Sequence, residues 1–195
     1  MPRNKTFNQV NIVKEAISLF WKEGFYQTSI QDLVKNLGIN RASLYDTYGD
    51  KEGLFKRCFR AYREDVFIMA KEILDSQDNT KLGFQSLFQW LINTLKEDKD
   101  QKGCFICNTY TEILPSSTQH TLTNLINETK SLWINIILDE LKKGVKNNEL
   151  RKNINIENSA HAIYASMIGV CVLSKTETTP QSLEKTLNIH LAIFQ

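Results

Sequence analysis

Proline is nearly absent from this chain, and that constrains the fold more than any other feature. Only Pro2, Pro115 and Pro180 occur in 195 residues. A proline inside a helix removes a hydrogen bond and clashes with the preceding turn, so long proline-free stretches leave the chain free to be helical. The glycines fall mostly between segments of helical period, where helices stop. No run alternates at the period of a strand, and no repeat or low-complexity tract breaks the pattern. The expected fold class is all-α, with about nine helices.

Val10, Val13, Ile17, Phe20 and Trp21 share one face and predict a first helix that ends at Gly24. Ser29 and Asp32 have the spacing of a capping box. Ile30, Leu33, Val34 and Leu37 continue from it as a second helix about eight residues long, closed by Gly38. Ile39 can plug the core beneath that turn. Asn40 is a good N-cap for a third helix through Ser43, Leu44 and Tyr45 to Tyr48, closed by Gly49. Asp50 caps a fourth, with Leu54, Phe55, Cys58, Phe59, Tyr62, Val66 and Met69 as its apolar stripe to about Ser76. The pattern then predicts helices over 80–96, 104–114, 117–146, 157–174 and 180–194, with exposed loops at 96–103 and 175–180.

The third helix is the unusual one. It offers a core mainly Leu44 and Tyr48, and leaves Arg41, Ala42, Ser43, Tyr45 and Thr47 outside. Two short helices joined by a glycine turn read as helix-turn-helix, or as plain helical packing of the same shape. An arginine can bond guanine edges in a major groove, small side chains admit close approach, and hydroxyls suit phosphate oxygens. Lys51, at the start of the fourth helix, adds charge where helix amides already favour phosphate. Charge is uneven in the same sense. Residues 1–60 hold ten Lys/Arg against six Asp/Glu, and 61–195 hold fourteen against sixteen. A mildly basic head on a mildly acidic body suits a polyanionic partner.

Several classes are disfavoured. No apolar run approaches the roughly 18 residues of a membrane span, and MPRNKTFNQV has no apolar signal region, so a cytoplasmic protein is expected. Four cysteines, at 58, 104, 107 and 171, are too few and too scattered for a disulfide scaffold. No nucleophile–base spacing, phosphate loop or metal motif stands out, so no enzyme and no cofactor are expected.

Residues 8–60 resemble the N-terminal domain of the TetR family of bacterial transcriptional regulators. The residues that carry the likeness are Gly24-Phe25, Thr28-Ser29, Gly38, Leu44-Tyr45, Tyr48, Lys51-Glu52 and Leu54, within AISLFWKEGFYQTSIQDLVKNLGINRASLYDTYGDKEGLF (16–55). The resemblance implies a DNA-binding domain over 1–50 and an effector-binding and dimerisation domain over 51–195. It assigns Thr28, Tyr45 and Lys51 to the DNA backbone and places Asn40, Arg41, Ala42 and Ser43 at the groove-facing start of the recognition helix. Thr47 stands where many members carry an aromatic or histidine, and Asp46 is an acid near expected phosphates. Tyr48 fills the place of a core aromatic.

The family is also homodimeric through its last two helices, which implies an inverted-repeat operator. Ala160, Ala162, Ala165, Ser166 and Gly169 are small enough for close helix approach there, or for packing within one subunit. Trp90, Phe105, Tyr110 and Trp133 are the aromatics that could line an effector pocket, or plain core.

Cys104 and Cys107 form C-x-x-C at a helix start, where helix amides and Lys102 favour a thiolate. A GC-x-x-x-N run here resembles a subset of the family, some members of which respond to electrophiles or oxidants. The pair reads as a thiol sensor or as structural cysteines. Zinc is disfavoured because four ligands are wanted and no second pair follows, and Cys58 and Cys171 fall on apolar stripes as inert core. The function expected is a TetR-type regulator, a repressor released by a small-molecule or thiol-reactive effector. The alternatives are an activator, or a ligand- or redox-responsive protein whose helix-turn-helix no longer binds DNA.

Overall fold

The computed structural model describes residues 9–98, 100, 102–113, 120–151, 153–176 and 179–194, with the side chain of His120 left aside. Nine α-helices and one 3-10 turn account for its regular structure among those residues: α1 Gln9–Glu23, α2 Ile30–Leu37, α3 Arg41–Tyr48, α4 Lys51–Asp75, α5 Thr80–Glu97, α6 Phe105–Glu112, α7 His120–Lys146, α8 Ile156–Leu173, α9 Pro180–Asn188, then Ile189–Ile193. Leu150 and Phe194 form an isolated antiparallel bridge that ties the C-terminal end to the turn after α7.

The predicted caps form. Ser29 Oγ accepts from the Asp32 amide while the Asp32 carboxylate accepts from the Ser29 amide, a complete capping box. Asn40 caps α3 and Asp50 caps α4 as expected, and Asn79 on α5 and Asn155 on α8 are further caps that were not expected from the sequence. Each such cap contributes about 1 kcal/mol by satisfying an amide that the helix itself cannot.

Helix faces differ from the expectation in two places. Val10 is 61% exposed, whereas Val13 and Phe20 of the expected face are buried and Ile17 and Trp21 pack beside them. Ile12 and Ala16 join that face, which packs on α4. Met69 is exposed, and the stripe of α4 shifts to Ala70 and Leu74 as the helix leaves the head and enters the body. The start expected for α7 at 117 and the stop expected at Pro115 lie outside the described residues. The last helix ends at Asn188 and tightens into the 3-10 turn.

Two cores result. One joins α1–α3 and the first half of α4 to Phe105, Ile106 and Ile113 around α6 and to Leu122 and Leu125 of α7. The other fills the body between the lower α4, α5, α7, α8 and α9. Val66, Cys104 and Tyr110 pack against both, so α6 stands at the junction of head and body. On α8, Ala162, Ala165, Val172 and Leu173 face outward, and a Cβ at Gly169 would meet nothing within 4 Å. Against the expectation that no apolar run approaches a membrane span, this helix has the length and apolarity of one, because its small residues stand among Ile, Val, Met and Leu; 33% of it is buried within the chain.

Candidate nucleic-acid interface and effector cavity

The turn between α2 and α3 is built from three residues. Gly38 adopts φ 61°, the left-handed region that reverses the chain after α2. Ile39 is buried under it, and the side-chain oxygen of Asn40 accepts from the Ser43 amide at 2.7 Å. α3 then buries a single side chain, Leu44. Asn40, Arg41, Ala42, Tyr45 and Thr47 are exposed and Ser43 is half-buried, so six of the expected DNA-facing residues share one accessible surface. Asp46 is exposed there too. Tyr48 packs toward the core, with its hydroxyl buried and unpaired among the described residues.

Two expected phosphate contacts are otherwise engaged. Thr28 is 1% exposed, and its hydroxyl donates to the Gly24 carbonyl at 2.5 Å. Its side chain closes the turn after α1 and has no route to a ligand in this arrangement. Lys51 is half-buried, and its ammonium donates to the carbonyls of Phe25 at 2.8 Å and Thr28 at 2.9 Å, over the Phe25 ring. Burial pulls its pKa below the usual lysine value, partly offset by the Glu112 carboxylate. The family resemblance implied a backbone contact for both residues, and nothing in the sequence shows that the α1–α2 turn engages their polar atoms.

The same turn is gripped from the other side by a residue the sequence did not single out. Glu112, the last residue of α6, accepts from the amides of Phe25 at 2.9 Å and Tyr26 at 2.8 Å. Gly24 makes this possible: φ is +83°, and a Cβ there would stand 2.8 Å from a Glu112 carboxylate oxygen. α6 thus holds the helix-turn-helix at its C-terminal end.

At its N-terminal end α6 borders a cavity of about 70 Å³ lined by Trp90, Cys104, Cys107, Trp133, Tyr164 and Met167, among others. Three of the five expected effector residues, Trp90, Cys104 and Trp133, line it. Phe105 does not: it is 2% exposed and packs edge-on to Phe55 and Tyr62 in the head–body junction. Tyr110 stands behind the wall, its hydroxyl accepting from Tyr164 at 2.8 Å. Burial first, then the neighbouring thiols, raises the Tyr110 pKa to about 12, the Tyr164 bond working against them.

Cys171 is a correction of another kind. It is buried, as an inert core cysteine would be, but its sulfur joins those of Cys104 and Cys107, all within 4.8 Å of one another. Thiol hydrogens of Cys107 and Cys171 directed at Cys104 hold its pKa well below the usual range, against the cost of burial. The Cys107 and Ile106 amides add to this without forming a cap hydrogen bond. Cys107 and Cys171 are pushed up. Cys58 stays apart, with burial raising it to about 12.

Comparison with known proteins decides the family. The model of the bacterial regulatory proteins of the tetR family matches residues 12–58, and that of the tetracyclin repressor-like C-terminal domain matches 84–189. The chain belongs to the TetR family. The HTH-type transcriptional regulator YezE of Bacillus subtilis, itself uncharacterized, is 37% identical over 115 residues, 59% of each chain, so the match spans little more than half of that protein. The repressor KstR2 of Rhodococcus jostii is 26% identical over 156 residues, 78% of this chain and 72% of its own. Among solved structures, the regulator CifR, a cysteine mutant complexed with 26-base-pair operator DNA, superposes with a TM-score of 0.88 at 18% identity over 100% of both chains. The reduced form of Escherichia coli NemR superposes at 0.84 with 17% identity, covering 95% of this chain and 97% of that one. The TetR-family fold therefore extends over both cores. The family consists of transcriptional regulators.

Proposed function

We propose that this protein is a cytoplasmic repressor that binds an inverted-repeat operator as a homodimer and lets go when a small effector reaches the cavity beside Cys104. Residues 1–50 act as the DNA-binding domain and 51–195 as the effector-binding and dimerisation domain. The observation that carries the reading is α3, a capped helix with one buried side chain and Arg41, Ala42 and Tyr45 exposed. Arg41 reads base edges, Tyr45 and Thr47 contact phosphates, and Asn40, Ala42 and Ser43 let the helix start approach the groove floor. Thr28 and Lys51 hold the turn that positions α2 and take no direct part. The open apolar face of α8, with α9, supports pairing of two subunits, which sets the recognition helices about 34–36 Å apart.

Size limits the effector. Sites for drug-sized ligands occupy roughly 300–1,000 Å³, and this cavity offers about 70 Å³. It suits a small apolar or thiol-reactive species. Its signal has a short path. α6 and its N-cap touch the cavity at Cys104 and Cys107 and the turn before α2 at Glu112, and the helix between is eight residues long. A ligand that binds better when α6 is displaced shifts the population of heads toward a spacing the operator does not match.

Selection of bound fragments from a random duplex pool tests the reading. An enriched inverted repeat supports it; no enrichment at low salt would transfer the protein to ligand binding without DNA. Glu112→Gln tests the path. The amide retains one acceptor oxygen where two amides need partners, so the head loosens by about 1–2 kcal/mol. Operator affinity without effector falls and effector-induced release shrinks; unchanged release would remove Glu112 from the path.

A further inference from the structure

The trio of thiols is more than packing requires. Single cysteines pack well as small hydrophobes. Here Cys104 and Cys107 from the first turn of α6 converge with Cys171 near the end of α8. The group is sulfur alone: no histidine or carboxylate joins it among the described residues. Met167, whose thioether is a further soft donor, lines the same cavity.

Donor chemistry selects the guest. Magnesium and calcium demand oxygen. Zinc in a closed protein site takes four donors in a tetrahedron, and three thiols fall short. Soft sulfur-only sets favour monovalent copper. With metal–sulfur bonds of about 2.3 Å, three sulfurs in a plane around one ion stand about 4.0 Å apart. The observed sulfurs lie within 4.8 Å, so small side-chain rotations close the ring. Negative charge on such a site has a counterweight in Lys175, whose stem lies against Gly103 and whose ammonium donates to Asn108 at 3.1 Å.

We propose that Cys104, Cys107 and Cys171 form a three-coordinate site for a soft monovalent cation, with copper(I) the ion that fits the donor set. Binding breaks the S–H bond of each sulfur that is still protonated and forms three metal–sulfur bonds. The protons pass to solvent, and neither sulfur nor metal changes oxidation state. As an ion site this stands by itself; as the trigger for operator release it rests on the repressor reading above.

The test is anaerobic titration of the reduced full chain with copper(I) against a chromogenic copper(I) chelator. One ion per chain is expected, with the near-ultraviolet absorption of copper–thiolate bonds. Cys104→Ser, Cys107→Ser and Cys171→Ser should each compete at least about tenfold less well, and Cys58→Ser as well as the wild type. Circular dichroism checks that the variants keep their helices, and Cys171→Ala repeats the test without a buried hydroxyl. No copper held against the chelator, or equal affinity in all the cysteine variants, overturns the site. So does a preference for zinc. The same samples are then mixed with selected operator DNA. Release by one equivalent in the wild type, absent in Cys107→Ser, supports the trigger. Copper bound with DNA retained overturns the trigger alone. Failure to select any operator sinks the repressor reading and leaves the ion result standing.

Discussion

α3 and α6 are both eight residues long, and the molecule uses them in opposite ways. α3 buries one side chain, while α6 buries Phe105, Ile106, Cys107 and Thr109. α3 starts at a side-chain cap, Asn40 to the Ser43 amide, and ends at Gly49, whose amide bonds the Tyr45 carbonyl. α6 has no side-chain cap hydrogen bond at Cys104, and its far end is spent on another element through Glu112. A helix that must offer its surface to a partner has to be held by its own ends. A helix wedged between two cores is held by what it touches.

That contrast can be broken from either side. The largest effect is expected for Phe105→Ala. The ring sits among Phe55, Phe59 and Tyr62, and its loss costs about 3–5 kcal/mol in urea unfolding. A loss under 1 kcal/mol would show that the junction collapses around the gap and that α6 is less rigid than its burial implies. Leu44→Ala comes next, at about 2–5 kcal/mol, because α3 has no other buried anchor. Operator binding should vanish there while the helical circular dichroism of the body persists.

Arg41→Ala sharpens the comparison by separating binding from folding. Operator affinity should fall by about 1–3 kcal/mol, with discrimination lost at one base position. Stability should move by less than about 0.5 kcal/mol, as at other exposed sites. Equal loss on all DNA sequences would remove its base-reading role. The smallest effect belongs to Lys51→Ala. It strips two carbonyls of their donor, for about 1 kcal/mol. A phosphate contact contributes about 0.9 to the slope of log affinity against log salt. That slope should stay unchanged here, since the ammonium is bound within the protein.

The same contrast explains what could be read from the sequence. The caps at Ser29, Asn40 and Asp50, the glycine stops and the bare face of α3 were legible because they depend on residues a few positions apart. Thr28 and Lys51 were expected at the DNA backbone through the family resemblance, but their bonds run to backbone carbonyls, which carry no side-chain signature. Cys171 read as core because its stripe is apolar; only the packing of α8 on α6 brings it to Cys104 and Cys107. Glu112 has no sequence pattern that marks its role; only the fold puts the α1–α2 turn beneath it. Within helices, period and caps suffice. Between helices, the partner decides.

The three tryptophans give the molecule its own optical labels. Trp21 lies at the head–body junction, edge-on to Tyr62 with the Lys102 ammonium 5.1 Å from its ring. Trp90 and Trp133 line the cavity. One emission spectrum therefore samples two sides of the start of α6, the junction at Phe105 and the cavity at Cys104. Single-tryptophan versions could time when the cavity fills and when the junction responds, with no dye attached.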